Sequence, residues 1–225
     1  MLTPEIRAVF FDAVGTLIVP NPPVAEIYAA AGRRHGIELA LAEISTRFRA
    51  AFRAEEKADA IRGGPTSEER ERIRWQHIVG KVFPDRADAI FGELYEHFSR
   101  PSAWKLTEGA ADAIAGLAGR GLVLGLASNF DRRLHAIADG LPGLAPTRHR
   151  IISSEVGWLK PSPRFFEAVI RAADCAADQI LFVGDNRIND FTGANAAGMR
   201  GVLFDSGPVD LPGLRRIRWL TELLE

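Results

Sequence analysis

This chain of 225 residues has only one cysteine, Cys175, so it cannot form a disulfide within itself. A chain without disulfides suits a reducing compartment, and the sequence therefore predicts a cytoplasmic protein. Its apolar runs are all shorter than the roughly 20 residues that a helix needs to cross a bilayer, so no membrane association is expected. The first residues also lack the basic and apolar segments of a secretory signal.

A surplus of either charge is also missing. The chain has 28 Lys and Arg residues against 29 Asp and Glu residues, a formal net charge of -1. Nucleic-acid binding proteins carry a basic excess, so no nucleic acid is expected as a partner. Internal repeats and low-complexity tracts are absent, and the composition is that of a globular protein large enough to bury a core. The sequence does not indicate an oligomeric state.

Short apolar runs that alternate with helical patterns predict an α/β fold. Unbroken apolar runs are typical of strands buried on both faces, and strands are expected at residues 8–11, 122–127, 151–152, 180–183 and 202–204. One helix is expected from Ala110 to Gly119 or Gly121, and another after Ser162 and Pro163. Strands separated by helices predict a parallel, Rossmann-like sheet. At the C-terminus, a final helix packed on the core is predicted from Trp219, Leu220, Leu223 and Leu224.

The stretch from Pro20 to about Trp104 has a different pattern, because its apolar residues recur at helical spacing in four segments and no strand is indicated. Prolines flank it on both sides. The sequence therefore predicts a Rossmann-like core of residues 1–19 plus 104–225 and an inserted four-helix cap of residues 20–103. Such a cap can open and close over a site. Its aromatic residues Phe48, Phe52 and Trp75 lie on apolar helix faces and are expected in the cap's own core.

Polar residues follow several of the predicted strands. Asp12 and Asp185 each follow a strand, Asp190 lies five residues further on, Ser128 ends a strand, and Lys160 precedes a helix. Ligands bind outside the carboxyl ends of parallel strands, so these residues should converge. Clustered carboxylates need a neutralising cation, and a hard ion such as Mg²⁺ suits oxygen ligands. A carboxylate could then attack phosphorus while Lys160, Ser128 and backbone amides bind the phosphoryl oxygens. Each signal is weak alone, and their order and spacing carry the prediction.

Four segments, in this order, resemble the motifs of the haloacid dehalogenase (HAD) superfamily. Residues 12–17 (DAVGTL) resemble motif I, Ser128 with Asn129 resembles motif II, Lys160 with Pro161 resembles motif III, and residues 184–190 (GDNRIND) resemble motif IV. The helical insertion follows motif I, where a C1-type cap of subfamily I belongs. The resemblance spans essentially the whole chain.

This resemblance implies a Mg²⁺-dependent phosphohydrolase that acts on a small phosphorylated metabolite through a phospho-Asp12 intermediate. Asp12 would be the nucleophile, and Lys160 would be a second catalytic residue. The same resemblance assigns the magnesium ligands to Asp12, Asp185 and the backbone carbonyl of Val14, with Asp190 acting directly or through water. It assigns phosphoryl binding to Ser128, Asn129 and Lys160.

Val14 departs from the family pattern, since phosphatases of this superfamily usually carry there a second Asp that acts as general acid and base. Such proton transfer typically contributes about 10²–10⁴-fold to the rate, so substrates with poor leaving groups should react slowly. Three interpretations follow. They are a weakened or specialised phosphohydrolase, a non-catalytic member that binds a phosphorylated ligand or a protein, and a 2-haloacid dehalogenase, which lacks that Asp and needs no metal. The acids at Asp185 and Asp190 favour phosphoryl chemistry over halide displacement.

Overall fold

The computed structural model describes residues 2–205, 207 and 213–225. Its strands are β1 (Ala8–Phe11), β2 (Ile18–Pro20), β3 (Trp104–Leu106), β4 (Val123–Ser128), β5 (His149–Ile152), β6 (Ile180–Gly184), β7 (Arg200–Phe204) and β8 (Arg216–Ile217). Six of them form one sheet in the order β5-β4-β1-β6-β7-β8, and every neighbouring pair is parallel. The five strands predicted from apolar runs are all present, with ends that differ from the prediction by at most two residues.

The helices are α1 (Val24–Arg34), α2 (Leu41–Ile61), α3 (Glu68–Val82), α4 (Ala87–His97), α5 (Ala110–Gly119), α6 (Arg133–Asp139), α7 (Ser153–Val156), α8 (Pro163–Ala173) and α9 (Gly193–Ala196), with a π-helical turn at Arg187–Thr192. As predicted, α5 ends at Gly119 and α8 begins at Pro163. Ser162 precedes α8, but its side chain makes no capping hydrogen bond. None of the helices in the described residues combines the length and apolarity needed to cross a membrane.

Helices cover both faces of the parallel sheet, because alternate residues of the central strands point to opposite sides. Val9 and Phe11 pack with α5 and α6 on one face, and Ala8 and Phe10 pack with α8 on the other. Strand β1 lies in the middle, with Phe11 paired to Leu126 of β4 and to Val183 of β6. The predicted Rossmann-like fold with a helical insertion is therefore confirmed.

Helices α1 to α4 occupy the inserted stretch, and their apolar faces form a hydrophobic cluster of their own. As predicted, no strand lies between Pro20 and Trp104, but the two short strands that end and begin at these residues were not predicted. Strands β2 and β3 pair antiparallel where the chain leaves and re-enters the sheet domain, with Pro20 opposite Trp104. Three residues are too short for a pattern of period two to stand out. The division at residues 19/20 and 103/104 stays a prediction.

The turn between α2 and α3 is hydrogen-bonded to the core segment just before Lys160. Leu159 N donates to Gly64 O at 2.8 Å, and Thr66 N donates to Gly157 O at 3.0 Å. Pro65 and Trp158 lie opposite each other in this short antiparallel pairing. The insertion is thus attached to the core at a second place, far along the chain from β2 and β3.

The C-terminal prediction needs a correction. Residues Leu220–Leu224 form a 3₁₀-helix, and Leu220 and Leu223 are fully buried, whereas Trp219 is 54% exposed. With three residues per turn, positions 220 and 223 share one face, and Trp219 precedes that face.

Candidate active site

Asp12 directly follows β1 at the centre of the sheet, and its backbone amide donates to Val183 O at 2.8 Å. Its side chain is buried, and Oδ1 accepts hydrogen bonds from Ser128 Oγ at 2.8 Å and from Lys160 Nζ at 2.7 Å. Both donors share Oδ1, so no side chain of the described residues donates to Oδ2. Asp12 also lines the large cavity of the molecule, so one carboxylate oxygen is held by two hydrogen bonds while the other accepts none from these side chains.

Lys160 brings two acids together. Its buried ammonium donates to Asp12 Oδ1 at 2.7 Å, to Asp190 Oδ1 at 2.7 Å and to the carbonyl of Ala127 at 2.9 Å. Burial by itself would lower the pKa of Lys160, but the charges of Asp12 and Asp190 outweigh it and raise that pKa. The lysine is therefore cationic, and its three N–H groups are all engaged. Binding a phosphoryl oxygen would require it to exchange one of these partners.

Asn129 is tied to the backbone of Lys160. Lys160 N donates to Asn129 Oδ1 at 2.7 Å, and Asn129 Nδ2 donates to Lys160 O at 3.2 Å. The side chain that the resemblance assigns to phosphoryl binding therefore also positions the lysine. Its amide has one further N–H that can donate to a ligand.

The carboxylates of Asp12, Asp185 and Asp190 offer oxygen atoms that all lie within 4.8 Å of one another. Asp190 is buried in the π-helical turn, and its Oδ2 accepts from Asn186 N at 2.9 Å. Asp185 faces the cavity close to Gly15, where a Cβ atom would lie 2.4 Å from its Oδ2. Gly15 also has a φ of 93°, which other residues rarely adopt. The chain thus needs glycine at this position to bring motif I against Asp185.

Crowding of these acids disfavours their ionised forms. Burial, followed by the charges of Asp12 and Asp190, raises the pKa of Asp185 to about 7. Burial also raises the pKa of Asp190, and Lys160 opposes that rise. One lysine cannot neutralise three carboxylates. The protein therefore stores electrostatic repulsion that a bound cation would relieve.

The donors around this cluster fit a divalent metal ion. The ligand atoms are oxygens, which Mg²⁺ prefers. In two of the three carboxylates, hydrogen-bond donors from the protein do not occupy both oxygens. The backbone carbonyl of Val14 accepts no hydrogen bond from the described residues, because the neighbouring bonds run to Ala13 O and from Gly15 N. Val14 itself lines the cavity. A backbone carbonyl that accepts no hydrogen bond remains able to coordinate a cation.

A cavity of about 830 Å³ extends from these carboxylates into the helical insertion. Phe48, Phe52 and Trp75 line it, so their prediction as cap core is only half right. Phe48 and Trp75 do pack against the apolar cluster of the insertion, but part of each ring faces the cavity. Helical periodicity identifies an apolar face and cannot tell whether that face meets protein or open space.

Sequence reasoning missed an ion pair at the border between core and insertion. Arg133 binds the buried carboxylate of Asp131 with two hydrogen bonds, at 2.8 and 2.7 Å, and donates to the carbonyl of Tyr95 at 3.1 Å. The Tyr95 hydroxyl donates to Asp131 at 3.2 Å. One residue separates this Arg from this Asp, a spacing too common to signal a site.

Comparisons with known proteins agree with this geometry. Residues 6–198 match the family model described as haloacid dehalogenase-like hydrolase. The human haloacid dehalogenase-like hydrolase domain-containing protein 3 is 35% identical over 210 residues, covering 88% of this chain and 82% of that protein.

Two solved structures are similar in fold at low sequence identity. A putative HAD-hydrolase from Bacillus subtilis bound to magnesium superposes with a TM-score of 0.76 at 19% identity, covering 97% of this chain and 96% of that one. A defluorinating L-2-haloacid dehalogenase gives 0.78 at 17% identity, covering 100% and 97%. Because the family model spans most of the chain and the human relative shares a third of the aligned residues, the chain belongs to the haloacid dehalogenase-like hydrolases.

Proposed function

We propose that the protein is a Mg²⁺-dependent phosphohydrolase that acts on a small phosphorylated metabolite through a phospho-Asp12 intermediate. The observation that carries this proposal is the charge of the site. Asp12, Asp185 and Asp190 offer oxygen atoms within 4.8 Å of one another, and among the described residues Lys160 is the one basic side chain that pairs with this cluster, through Asp12 and Asp190. A dianionic phosphoryl group can join such a cluster only if a cation is added.

Asp12, Asp185 and the Val14 carbonyl would hold Mg²⁺, with Asp190 as a direct or water-mediated ligand. When bound, the ion supplies charge neutralisation for the phosphoryl oxygens and the three carboxylates. The chain's own residues do the rest. Ser128 and Lys160 hold Oδ1 of Asp12, which leaves Oδ2 to attack phosphorus. Asn129 and Ser128 lie at the end of β4 beside Asp12, where they can receive the transferred group.

Hydrolysis of phospho-Asp12, an acyl phosphate, then regenerates Asp12. Water attacks phosphorus, the bond between phosphorus and the Asp12 oxygen breaks, and inorganic phosphate leaves with one proton released to solvent. Val14 cannot transfer protons, so both steps depend on a leaving group or a water molecule that reacts without a side-chain acid or base at this position.

Halide displacement is less well supported by the same geometry. A carbon–halogen bond is broken by one attacking carboxylate and yields an anion, and the reaction gains nothing from two further acids. Asp185 and Asp190 would add negative charge where the halide must depart. The similarity to dehalogenase structures concerns the fold and does not favour their reaction.

Acetyl phosphate tests the proposal, because it is small and its leaving group needs no proton from the enzyme. We expect release of phosphate that requires Mg²⁺ and falls by about 10³-fold or more in Asp12→Asn, which keeps the shape of the side chain but not the nucleophile. Asp112→Asn, an exposed acid in α5, is the matched control and should keep full activity. Full activity in Asp12→Asn, or chloride release from 2-chloropropionate without metal, would contradict the proposal.

A further inference from the structure

The shape and lining of the cavity indicate which leaving group the site accepts. A phosphoryl group would occupy only the end of the cavity formed by Asp12, Asp185, Asp190 and Lys160, which we call the floor. Most of the roughly 830 Å³ extends between the inserted helices. Ligand cavities of this size enclose molecules much larger than phosphate. The leaving group must therefore lie against the side chains of the insertion.

Four aromatic rings border the cavity as a continuous row, which we call the aromatic wall: Tyr28, Phe48, Phe52 and Trp75. Successive ring centroids lie 5.4, 6.0 and 6.3 Å apart. These spacings are typical of favourable aromatic pairs, so another flat ring can add to the row at the same distance.

A second group of rings borders the same cavity. Phe98, Trp104 and Phe130 follow one another with centroids 5.9 and 6.0 Å apart, and Phe98 lies 6.4 Å from Tyr28. Tyr28 lines the cavity, and its hydroxyl makes no hydrogen bond with any described residue. This hydroxyl is therefore available to a polar substituent of a ligand.

The cavity lining from the insertion carries no surplus of positive charge for a second anionic group. Its two basic residues, Lys57 and Arg74, are outnumbered by Glu56, Asp59 and Glu71, and Arg74 lies 3.7 Å from Glu71 and 3.6 Å from Asp59. On the core side of the cavity, Arg133 is paired with Asp131. Sugar bisphosphates and nucleoside polyphosphates carry further phosphates that would need a surplus of basic residues. The lining thus favours a leaving group that is uncharged and apolar.

Val14 adds an independent constraint, because it stands two residues after the nucleophile and lines the cavity without being able to donate a proton. A leaving oxygen must then depart as its anion. Phenols are far more acidic than alcohols or sugar hydroxyls, so phenolate is the better leaving group by a wide margin. The chemistry at the floor and the rings above it therefore select the same kind of molecule.

We infer that the physiological substrate is an aryl phosphate monoester, whose ring packs against the aromatic wall and leaves as a phenolate; this inference rests on the proposed phosphohydrolase function. Asp12 Oδ2 forms a bond to phosphorus as the bond between phosphorus and the phenolic oxygen breaks. The phenolate takes the bonding electron pair and gains a proton from water. Water then attacks phospho-Asp12, so that one aryl phosphate and one water give one phenol and one phosphate.

Turnover tests the leaving group. With Mg²⁺ present, phenyl phosphate should be hydrolysed about 10²-fold or more faster in kcat/KM than cyclohexyl phosphate, which has similar size but a poor leaving group. Among substituted phenyl phosphates, kcat should rise as the phenol becomes more acidic. Equal rates for phenyl and cyclohexyl phosphate, or a preference for glucose 6-phosphate, would overturn the inference.

Binding tests the aromatic wall without any turnover. In the presence of Mg²⁺, calorimetry should show phenylphosphonate binding about tenfold more tightly than methylphosphonate. That advantage should shrink several-fold in Trp75→Leu and in Phe52→Leu, two variants that keep apolar volume but lose the ring. Trp219→Leu, which removes an exposed tryptophan outside the cavity, is the matched control and should keep it. Thermal unfolding establishes that each variant is folded.

The two measurements separate this inference from the proposed function. If acetyl phosphate and the aryl phosphates are all left intact, the phosphohydrolase function fails, and the phosphonate comparison still shows whether the cavity selects an aromatic group. If acetyl phosphate is hydrolysed but phenylphosphonate binds no better than methylphosphonate, the function stands and the aryl specificity is refuted.

Discussion

The floor of the cavity is held together by charge pairs and hydrogen bonds, whereas its walls are held together by apolar contacts between rings. On the floor, Asp12, Lys160 and Asp190 are buried and joined by hydrogen bonds of 2.7 Å, so that each charge depends on its neighbours. Higher up, Phe48, Phe52 and Trp75 meet the cavity through ring faces that have no directional partner. The floor is therefore sensitive to the loss of one atom or charge, whereas the walls tolerate exchanges that keep volume and apolarity.

Among the variants of the floor, Lys160→Met should destabilise the protein most, since it leaves two buried carboxylates without their cation. Loss of one partner of a buried ion pair costs about 3–5 kcal/mol, and we expect the free energy of unfolding to fall by that amount at pH 7 without metal. Urea denaturation measures it. Lys81→Met removes an exposed lysine from α3 and should change stability by less than about 0.5 kcal/mol. Equal stabilities of the two variants would show that the lysine does not neutralise the floor.

Val14→Asp tests the chemistry of the floor, because it places a proton donor two residues after Asp12. We expect kcat for cyclohexyl phosphate to rise about tenfold to hundredfold, with a smaller gain for phenyl phosphate, whose leaving group needs less help. Val14→Asn has the same size but cannot transfer a proton, so it should give no gain. If Asp raises neither rate while the protein stays folded and binds Mg²⁺, the missing acid is not what limits turnover.

Gly15→Ala should show how closely the floor is packed. Its Cβ atom would lie 2.4 Å from Asp185 Oδ2, whereas the Cβ of Gly36→Ala would meet nothing within 4 Å. Both glycines have positive φ, so each variant should lose about 1–2 kcal/mol of stability. Only Gly15→Ala should also weaken Mg²⁺ binding, by about tenfold, because Asp185 must move. Titration calorimetry would detect this, and unchanged affinity would place the ion away from Asp185.

The smallest expected effect concerns pH, because Asp185 is exposed and solvent screens its charge. The pKa of Asp185 is raised to about 7, so the folded metal-free protein binds a proton that the unfolded chain has already released. Its contribution to the free energy of unfolding therefore decreases as pH rises from about 4 to about 7. Thermal unfolding at pH 5 and pH 8 should reveal this decrease, which Mg²⁺ or Asp185→Asn should reduce. A metal-free protein in which Asp185→Asn leaves the pH dependence unaltered would contradict the assignment.

The sequence predicted the floor well because its residues are placed by strand ends. The ends of adjacent parallel strands meet at one edge, so Asp12 after β1, Ser128 at the end of β4 and Asp185 after β6 had to come together. The apolar runs located those strands to within two residues. Lys160 and Asp190 followed from order and spacing, which the resemblance then interpreted.

The walls of the cavity and the contacts between core and insertion could not be predicted in the same way. Whether Trp75 faces protein or a cavity depends on how α3 is placed over the core, and no local pattern encodes that placement. The pairing of β2 with β3 and the contact of Arg133 with Tyr95 join residues that are distant along the chain. Asn129 illustrates a third case. The family resemblance predicted that it binds phosphate, and the structure shows in addition that its side chain makes two hydrogen bonds with the backbone of Lys160.

The hydrogen bonds between the α2–α3 turn and the residues before Lys160 couple two properties of the molecule. Leu159, which donates to Gly64, is the immediate neighbour of the lysine that neutralises Asp12. A hinge motion that lifts this turn must break that bond or drag Leu159 with it. A displacement of the turn would therefore act directly on the backbone beside Lys160, whose ammonium donates to Asp12.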